Sequence, residues 1–491
     1  MSIKVLGINF GGHDTSASLT INGKLVAGCE QERYDKIKHS RAFPIDAIKD
    51  CLKIAKLNIN DIDILAYGSD PSLMLKERYL KLPIIFPKRK KFWDLDKNRI
   101  LRQLNLEKIL REKLNFKNKI DFNNHHLCHL YSAYYPSGFK DALVVSYDGI
   151  GEIHAAMMCY FKNGKFNKIE SNNKFPNSLG LIYSALTYYL GWKHHCDEGI
   201  VMGLAPYGNA NKKVPGKNFT YYDRFKKIIS MEKNKLDFKI DLNWISYHEE
   251  KNVWLSKKFF KVFGKKRREG SSLKLHHMNI AAALQKRLEN VVLEQLKYLR
   301  KKYKINKLCI AGGVGLNCSM NGKIVKSDIF KEVFIQPAAG DAGVAYGSCL
   351  VSTEKSRKLV IDKNRDFYIG FRENNKKNIK KKIKKNKLKF INYGKNIFDI
   401  TAKLLSEGKI IGWYQGPSEF GPRALGNRSI LCKPYPNEMK DYINKRVKFR
   451  EYFRPFAPAI LEEKKSEYFS LKQNSEHMLI ACEAKKIAKK N

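Results

Sequence analysis

One hairpin plan occurs twice in this chain, and that repetition limits its fold more than any other feature. From Val5 to Ile21 the sequence reads as an apolar strand, a glycine-rich turn (NFGGHD) and a second strand, closing at Asn22-Gly23. Asn-Gly supplies the two left-handed residues of a tight hairpin turn, so a third strand, LVAGCEQERY, is expected to fold back after it. Ala142 to Phe166 repeats the order: ALVVSYD, the turn GIGE, AAMMCYF, then Asn163-Gly164. Duplication with helical segments between the copies predicts an α/β fold of the actin-like or sugar-kinase-like kind. The alternative is two unrelated hairpins, a common local motif. In the duplicated fold the two turns face each other across a cleft and hold phosphates through backbone N–H groups.

A third glycine cluster fits the same cleft. A helical pattern from about Leu275 to Lys302 leads into the strand and turn KLCIAGGVGLNCSMNGK. Gly312, Gly313, Gly315 and Asn317 follow that strand at once, and glycine there lets a flat ligand such as an adenosine lie close to the backbone.

His125 and His129 stand four residues apart in NNHHLCHLYSAYY. Residues i and i+4 share a helix face, so both imidazoles can reach one metal ion. His126 and Cys128 point elsewhere and are expected to pack. Asp341, on the turn PAAGDAGVAYG, is the candidate third ligand, and two histidines with a carboxylate suit iron or zinc. The structural alternative is a pair of histidines bonded to backbone at a helix start. The adjacent pairs His194/His195 and His276/His277 are left out, because helix neighbours do not face one ligand.

Near the C-terminus, EFGPRALGNRSIL (Glu419 to Leu431) sets Arg423, Arg428 and Ser429 on a Gly/Pro loop after the strand-like run IIGWYQG. Some twenty residues on, Lys448, Arg450 and Arg454 alternate with Phe449, Phe453 and Phe456. Guanidinium forks bind phosphate or carboxylate bidentately, so the two clusters predict an anion pocket.

The 491 residues carry 93 Lys plus Arg against 48 Asp plus Glu, a formal +45. Such an excess invites a nucleic-acid reading. It is mostly lysine diluted with Asn and Ile, as in ENNKKNIKKKIKKNK, rather than a face with interleaved aromatics, so a compositional origin is favoured. No run of about 18 apolar residues suggests a membrane span, and the N-terminus lacks the apolar core of a secretion signal. Ten cysteines without CxxC pairs read as reduced residues of a cytoplasmic protein. The expected organisation is residues 1–351 as the duplicated domain, 352–387 as a Lys/Asn-rich linker with a solvated helix, and 388–491 as a smaller α/β domain.

Taken together, LGINFGGHDTSASL, QERYDKIKHSRAFP, HHLCHLYSAYY, SYDGIGE, EGIVMGLAPYG, AGGVGLNCSMNGK, EFGPRALGNRSIL and VKFREYFRPFAPA resemble the nodulation-type (NodU/CmcH-like) O-carbamoyltransferases from about Val5 to Phe469. The resemblance implies an actin-like N-terminal domain and a C-terminal domain of the threonylcarbamoyl-adenylate synthase (YrdC-like) type. It implies that carbamoyl phosphate and ATP (with Mg2+) give carbamoyl-adenylate, held by Arg423, Arg428, Ser429, Lys448, Arg450 and Arg454. The carbamoyl group would then pass to a small-molecule hydroxyl acceptor beside a metal, Fe2+ first and Zn2+ second, on His125, His129 and Asp341. His13, with Asp14 in the first glycine turn, becomes the base for the acceptor hydroxyl. Gly11, Gly12, Gly149, Gly151, Gly312, Gly313, Gly315 and Asn317 shape the nucleotide cleft, with Asp148 and Glu152 beside its phosphates or metal. A homodimer follows from family habit. Relatives of this kind continue past AKKIAKKN with a further Arg-bearing segment, so the C-terminal domain is expected to be incomplete. Two alternatives stand beside this reading: threonylcarbamoyl transfer onto tRNA, and a nucleotide-binding protein without the adenylation step.

Overall fold

The computed structural model describes residues 2–490 except 364, 365, 374 and 437. The chain forms two compact units, Met1–Arg365 with Leu479–Cys482, and Asp366–Met478 with Glu483–Asn491. The division falls inside the stretch read as a linker.

In the first unit, β1 (Lys4–Asn9), β2 (Ser16–Ile21), β3 (Lys24–Glu30), β4 (Ile64–Tyr67) and β5 (Lys119–Phe122) form a sheet of order β3-β2-β1-β4-β5. Strand β1 is antiparallel to β2 and parallel to β4, and five of its six residues are buried, as a central strand covered on both faces requires. The second copy uses β6 (Ala142–Tyr147), β7 (Ala156–Lys162) and β8 (Lys165–Ile169). A short hairpin follows, β9 (Ile229–Met231) and β10 (Phe238–Ile240), and then β11 (Lys307–Ala311) and β12 (Glu332–Ile335). Its sheet runs β12-β11-β6-β7-β8. Read from the hairpin side, both sheets are an antiparallel trio followed by two parallel strands. The duplication is therefore real, and with its mixed sheets it is the α/β plan of actin-like and sugar-kinase-like folds. Both Asn-Gly turns form as expected, with φ of 55° and 83° at Asn22-Gly23 and 50° and 73° at Asn163-Gly164.

The third strand is shorter than LVAGCEQERY. It stops at Glu30, and Glu32–Asp35 turns into a helix. The Gln31 side chain explains the exit: its amide oxygen accepts from the N–H groups of Asp46 and Ala47 at the start of the helix Ile45–Ala55.

Two helices join the halves, His125–Tyr134 and Ala342–Glu354. The second, AGVAYGSCLVSTE, buries twelve of its thirteen residues. Its small side chains let backbones approach: a Cβ on Gly347 would run into the Cys128 carbonyl oxygen of the first helix. This crossing brings Asp341, the residue before the second helix, to the histidines of the first. The expected helix near Leu275–Lys302 spans Leu275–Tyr303.

In the second unit β13 (Ile411–Tyr414) pairs antiparallel with β14 (Arg428–Leu431), and β15 (Phe469–Ser470) with β16 (Glu483–Ala484). The Lys-rich stretch forms the helix Lys376–Lys385, which buries no residue, as expected for a solvated face. No helix among the described residues is long and apolar enough to cross a membrane.

Candidate active site

The histidine helix begins at Asn124, whose side chain accepts the Leu127 N–H at 3.0 Å. Below it the Glu152 carboxylate accepts from the His125 N–H (3.0 Å), Asn124 Nδ2 (2.9 Å), Ser69 Oγ (3.1 Å) and the Asp70 N–H (2.9 Å). Glu152 is fully buried and its oxygens are taken up by these donors, so it fixes the helix start. That corrects its expected place beside a phosphate or metal.

One turn apart on this helix, His125 and His129 bring their Nε2 atoms within 3.2 Å. His125 donates its Nδ1–H to the Gly68 carbonyl at 3.2 Å, so loss of the proton from Nε2 would leave that atom free to ligate a cation. Asp148, just after β6, puts Oδ2 at 3.4 Å from His125 Nε2 and 3.9 Å from His129 Nε2. Asp341 puts Oδ1 at 3.4 Å and 3.8 Å from the same atoms. The four ligand atoms lie within 4.8 Å of one another. His129 is fully buried, and the Asp341 side chain is 13% exposed.

Charge in this cluster is unbalanced. Burial alone would lower His125, but Asp341 and Asp148 raise it well above the ordinary imidazole range. Burial and the neighbouring His125 push His129 well below that range. Burial would raise Asp148, yet the hydrogen bond from His125 and the surrounding imidazoles hold it down. One imidazolium against two carboxylates leaves net negative charge in a closed space. The buried Asp341 Oδ1 has no hydrogen-bond partner. Two imidazole nitrogens and two carboxylate oxygens converging around such an atom fit a divalent cation such as iron or zinc. The sequence named three of these residues. It set Asp148 beside the phosphates or metal of the nucleotide cleft rather than in the histidine set, because β6 lies far along the chain from Asp341.

His126 behaves as a packing residue. It is fully buried, donates Nε2–H to the His154 carbonyl at 2.8 Å and accepts from Ser146 Oγ at 2.8 Å.

Beside the cluster lies a second one. The Asp14 carboxylate accepts from His13 Nδ1 at 2.9 Å and from His39 Nδ1 at 2.6 Å. The His195 ring stacks on His13 with centroids 6.1 Å apart. His39 and His195 were both outside the expected catalytic set. They arrive from distant loops, and their left-handed φ of 56° and 59° would have been the nearest local signal. Burial would lower the His13 pKa. Asp341, the hydrogen bond and charge of Asp14, and Asp148 outweigh burial and hold it at about 10.

The glycines split by role. Gly313 donates its N–H to Asp148 Oδ1 at 2.9 Å, and Gly312, with φ of 85°, leaves no room for a Cβ beside the Tyr147 carbonyl. A Cβ on Gly12 would stand 3.6 Å from Asp341 Oδ2, and one on Gly151 only 2.8 Å from the His126 ring. Gly11 has φ of 87°. A Cβ on Gly149 would make ordinary contact with Leu181, and one on Gly315 a tight one with Ala339 and Ile310. Asn317 caps the helix Cys318–Lys326 through the Met320 N–H and exchanges two side-chain hydrogen bonds with Gln285. It is a structural residue rather than the expected nucleotide contact.

In the second unit four of the six expected anion residues, Arg428, Ser429, Arg450 and Arg454, bond within their own segments. Arg428 donates to the carbonyls of Gln415 (2.7 Å), Gly416 (3.2 Å), Asn427 (2.8 Å) and Phe371 (2.9 Å), and covers the Tyr414 ring. Ser429 Oγ accepts the Gly426 N–H. Arg450 donates to Asn444 Oδ1 and the Pro455 carbonyl, and Arg454 pairs with Glu451 at 3.6 Å. Lys448 is exposed and Arg423 half-buried. The loop is organised by Glu419, overlooked from sequence, whose Oε1 accepts from the N–H groups of Leu425, Asn427 and Arg428. Those bonds outweigh burial and lower its pKa.

A duplicated α/β fold thus carries between its halves a buried His/Asp cluster whose donor set fits a divalent cation. Residues 4–350 match the family described as carbamoyltransferase N-terminus, and 402–491 match carbamoyltransferase C-terminus. The chain belongs to the carbamoyltransferase family and is a carbamoyltransferase. An uncharacterised protein of Synechocystis is 35% identical over 98% of this chain and 79% of its own length. The nodulation protein NolNO of Sinorhizobium fredii is 33% identical over 94% of this chain, which spans 64% of that relative. Component A of the (R)-2-hydroxyglutaryl-CoA dehydratase of Acidaminococcus fermentans is similar at 12% identity and a TM-score of 0.38, over 72% of this chain and all of that one.

Proposed function

We propose that the protein is an O-carbamoyltransferase. It would use carbamoyl phosphate and ATP, through carbamoyl-adenylate, to carbamoylate a hydroxyl of a small molecule. The observation that supports this most is the adjacency of His13–Asp14 to the His125/His129/Asp148/Asp341 cluster in one cleft of a carbamoyltransferase-family chain. His125, His129, Asp148 and Asp341 would hold the divalent ion, Fe2+ first and Zn2+ second. Bound there, the ion supplies Lewis-acid stabilisation of charge that develops on the carbamoyl oxygen.

His13 takes the proton of the acceptor hydroxyl at Nε2 while Asp14 holds its Nδ1–H, which fixes tautomer and ring orientation. The acceptor oxygen then bonds the carbamoyl carbon, the carbon–oxygen bond to the phosphoryl group breaks, and AMP leaves. Neutralising the charge on Asp148 and Asp341 lowers the His13 pKa toward the range of a working base, since those carboxylates help to hold it up.

The C-terminal unit is the YrdC-like, adenylate-forming partner in this reading, supported by the family match over 402–491. Arg428 there keeps the Glu419 loop in shape, and the exposed Lys448 is the cation placed to meet an anion. Purified protein supplied with Fe2+, ATP, carbamoyl phosphate and a panel of sugars and other alcohols should release pyrophosphate and yield a carbamate ester. Absence of both pyrophosphate and ester would refute the reading.

A further inference from the structure

The helical segment between β4 and β5 brings three arginines toward two of the glycine turns. Arg78 donates Nε–H to the Glu152 carbonyl at 2.8 Å and an Nη2–H to the Gly151 carbonyl. Arg102 donates an Nη2–H to the Gly11 carbonyl at 3.2 Å. Its guanidinium lies so close to Gly11 that an added Cβ would stand 2.8 Å from Cζ, so the glycine there makes room for the arginine. Arg99 precedes Arg102 by three residues on the helix Lys97–Leu104 and therefore shares its face. Arg99 is half-buried, and its Nε, shielded from water, has no hydrogen-bond partner.

Three carboxylates near these arginines are engaged elsewhere. Glu152 is saturated by the donors at the histidine helix, Asp96 pairs with Lys251 at 2.5 Å, and Glu77 pairs with Lys81 at 2.6 Å. The guanidinium groups repel in consequence: burial, with the charge of Arg99 next, pushes Arg78 down to about 9. Arg102 and Arg99 also act on the Tyr67 hydroxyl, as does Asp341, and that hydroxyl donates to the Phe10 carbonyl at 2.9 Å. Arg102 therefore stands at the first glycine turn, with Arg99 one turn away on the same helix face. A guanidinium beside a glycine turn, with a second on the same helix face whose Nε has no hydrogen-bond partner, suits a phosphate, whose oxygens match the guanidinium fork.

We propose that Arg99 and Arg102 are the side-chain half of a phosphate-binding site at the Gly11–Gly12 turn, which receives the phosphate ester of a nucleotide. The identity of that ester as the AMP moiety of the activated donor rests on the function proposed above; the site itself does not. AMP and adenosine binding, measured by calorimetry on the whole protein, separates the phosphate contribution from that of the base. Arg99→Gln should weaken AMP tenfold or more at one site while adenosine binding and metal content stay as in wild type, and Arg99→Lys should recover part of the loss. Unchanged AMP affinity in both Arg99→Gln and the Arg99→Gln/Arg102→Gln pair, or a wild-type protein that binds AMP no better than adenosine, overturns the site. Loss of AMP affinity in the variant, with no carbamoyl transfer by wild type, keeps the site and sinks the functional reading instead.

Discussion

Gly313 donates its backbone N–H to one oxygen of Asp148, and the other oxygen of that carboxylate faces His125 and His129. A single side chain thus ties the third glycine turn to the histidine cluster, so the turn cannot shift without moving a carboxylate of that cluster. The two functions of the carboxylate can be separated. Asp148→Asn keeps an oxygen for Gly313 but removes the charge, so metal affinity should fall sharply with little change in melting temperature. Asp148→Ala should lose metal and also about 1–3 kcal/mol of stability, the cost of leaving a buried N–H unpaired. Metal analysis and denaturant titration of both variants test this; equal stability of the two would show that the Gly313 bond carries no weight.

His126 and His129 make a second contrast. Both are fully buried on one helix, but His126 spends both nitrogens on Ser146 and the His154 carbonyl. His126→Ala should cost about 2–4 kcal/mol through a cavity and unpaired polar groups, and leave metal stoichiometry intact. His129→Ala should abolish metal binding and carbamoyl transfer while pyrophosphate release continues. A His129→Ala protein with full metal content would remove the cluster from its role.

Much of this arrangement was legible because it is local. Asn-Gly needs φ above zero at two successive residues, so Asn22-Gly23 and Asn163-Gly164 announce their hairpins. His125 and His129 announce a shared face through their spacing alone. Asp341 could be picked from its glycine-flanked turn. What stayed hidden depends on distant partners: His39 and His195 join His13 only through tertiary folding. Asp341 reaches His125 and His129 because two helices cross at Gly347, and Asp148 joins them from the end of β6. Arg428 looked like an anion ligand because sequence does not show which carbonyls will surround a guanidinium.

The Asp14 bridge should appear in the pH dependence of stability. Asp14 is lowered from its ordinary 3.8: burial opposes this, but the hydrogen bonds from His13 and His39 prevail. Its contribution is therefore present above pH 3.8 and lost as pH falls below. His13 is raised from 6.5 to about 10, so its contribution is whole below 6.5 and lost as pH climbs toward 10. The difference in stability between chelator-treated wild type and Asp14→Asn should be greatest between pH 4 and 6.5 and shrink on both sides. A difference flat from pH 3 to 10 would mean that the bridge is not formed.

Arg428 provides the sharpest test of the C-terminal unit. Its guanidinium reaches four backbone carbonyls, on both strands of the β13–β14 hairpin region and on Phe371, and stacks over Tyr414. A planar fork can satisfy such divergent acceptors, whereas a lysine ammonium offers one point of charge on a flexible stem. Arg428→Lys should therefore behave nearly as badly as Arg428→Ala, each costing about 1.5–3 kcal/mol of local stability as hydrogen bonds from a charged donor are lost. Hydrogen exchange should speed up across Ile411–Tyr414 and the Glu419 loop and stay unchanged in the strands β1–β12. An anion ligand would respond differently: Lys would keep the charge, the hairpin amides would stay protected, and only carbamoyl phosphate affinity would fall. Protection factors measured in the two variants decide between a scaffold arginine and a substrate arginine.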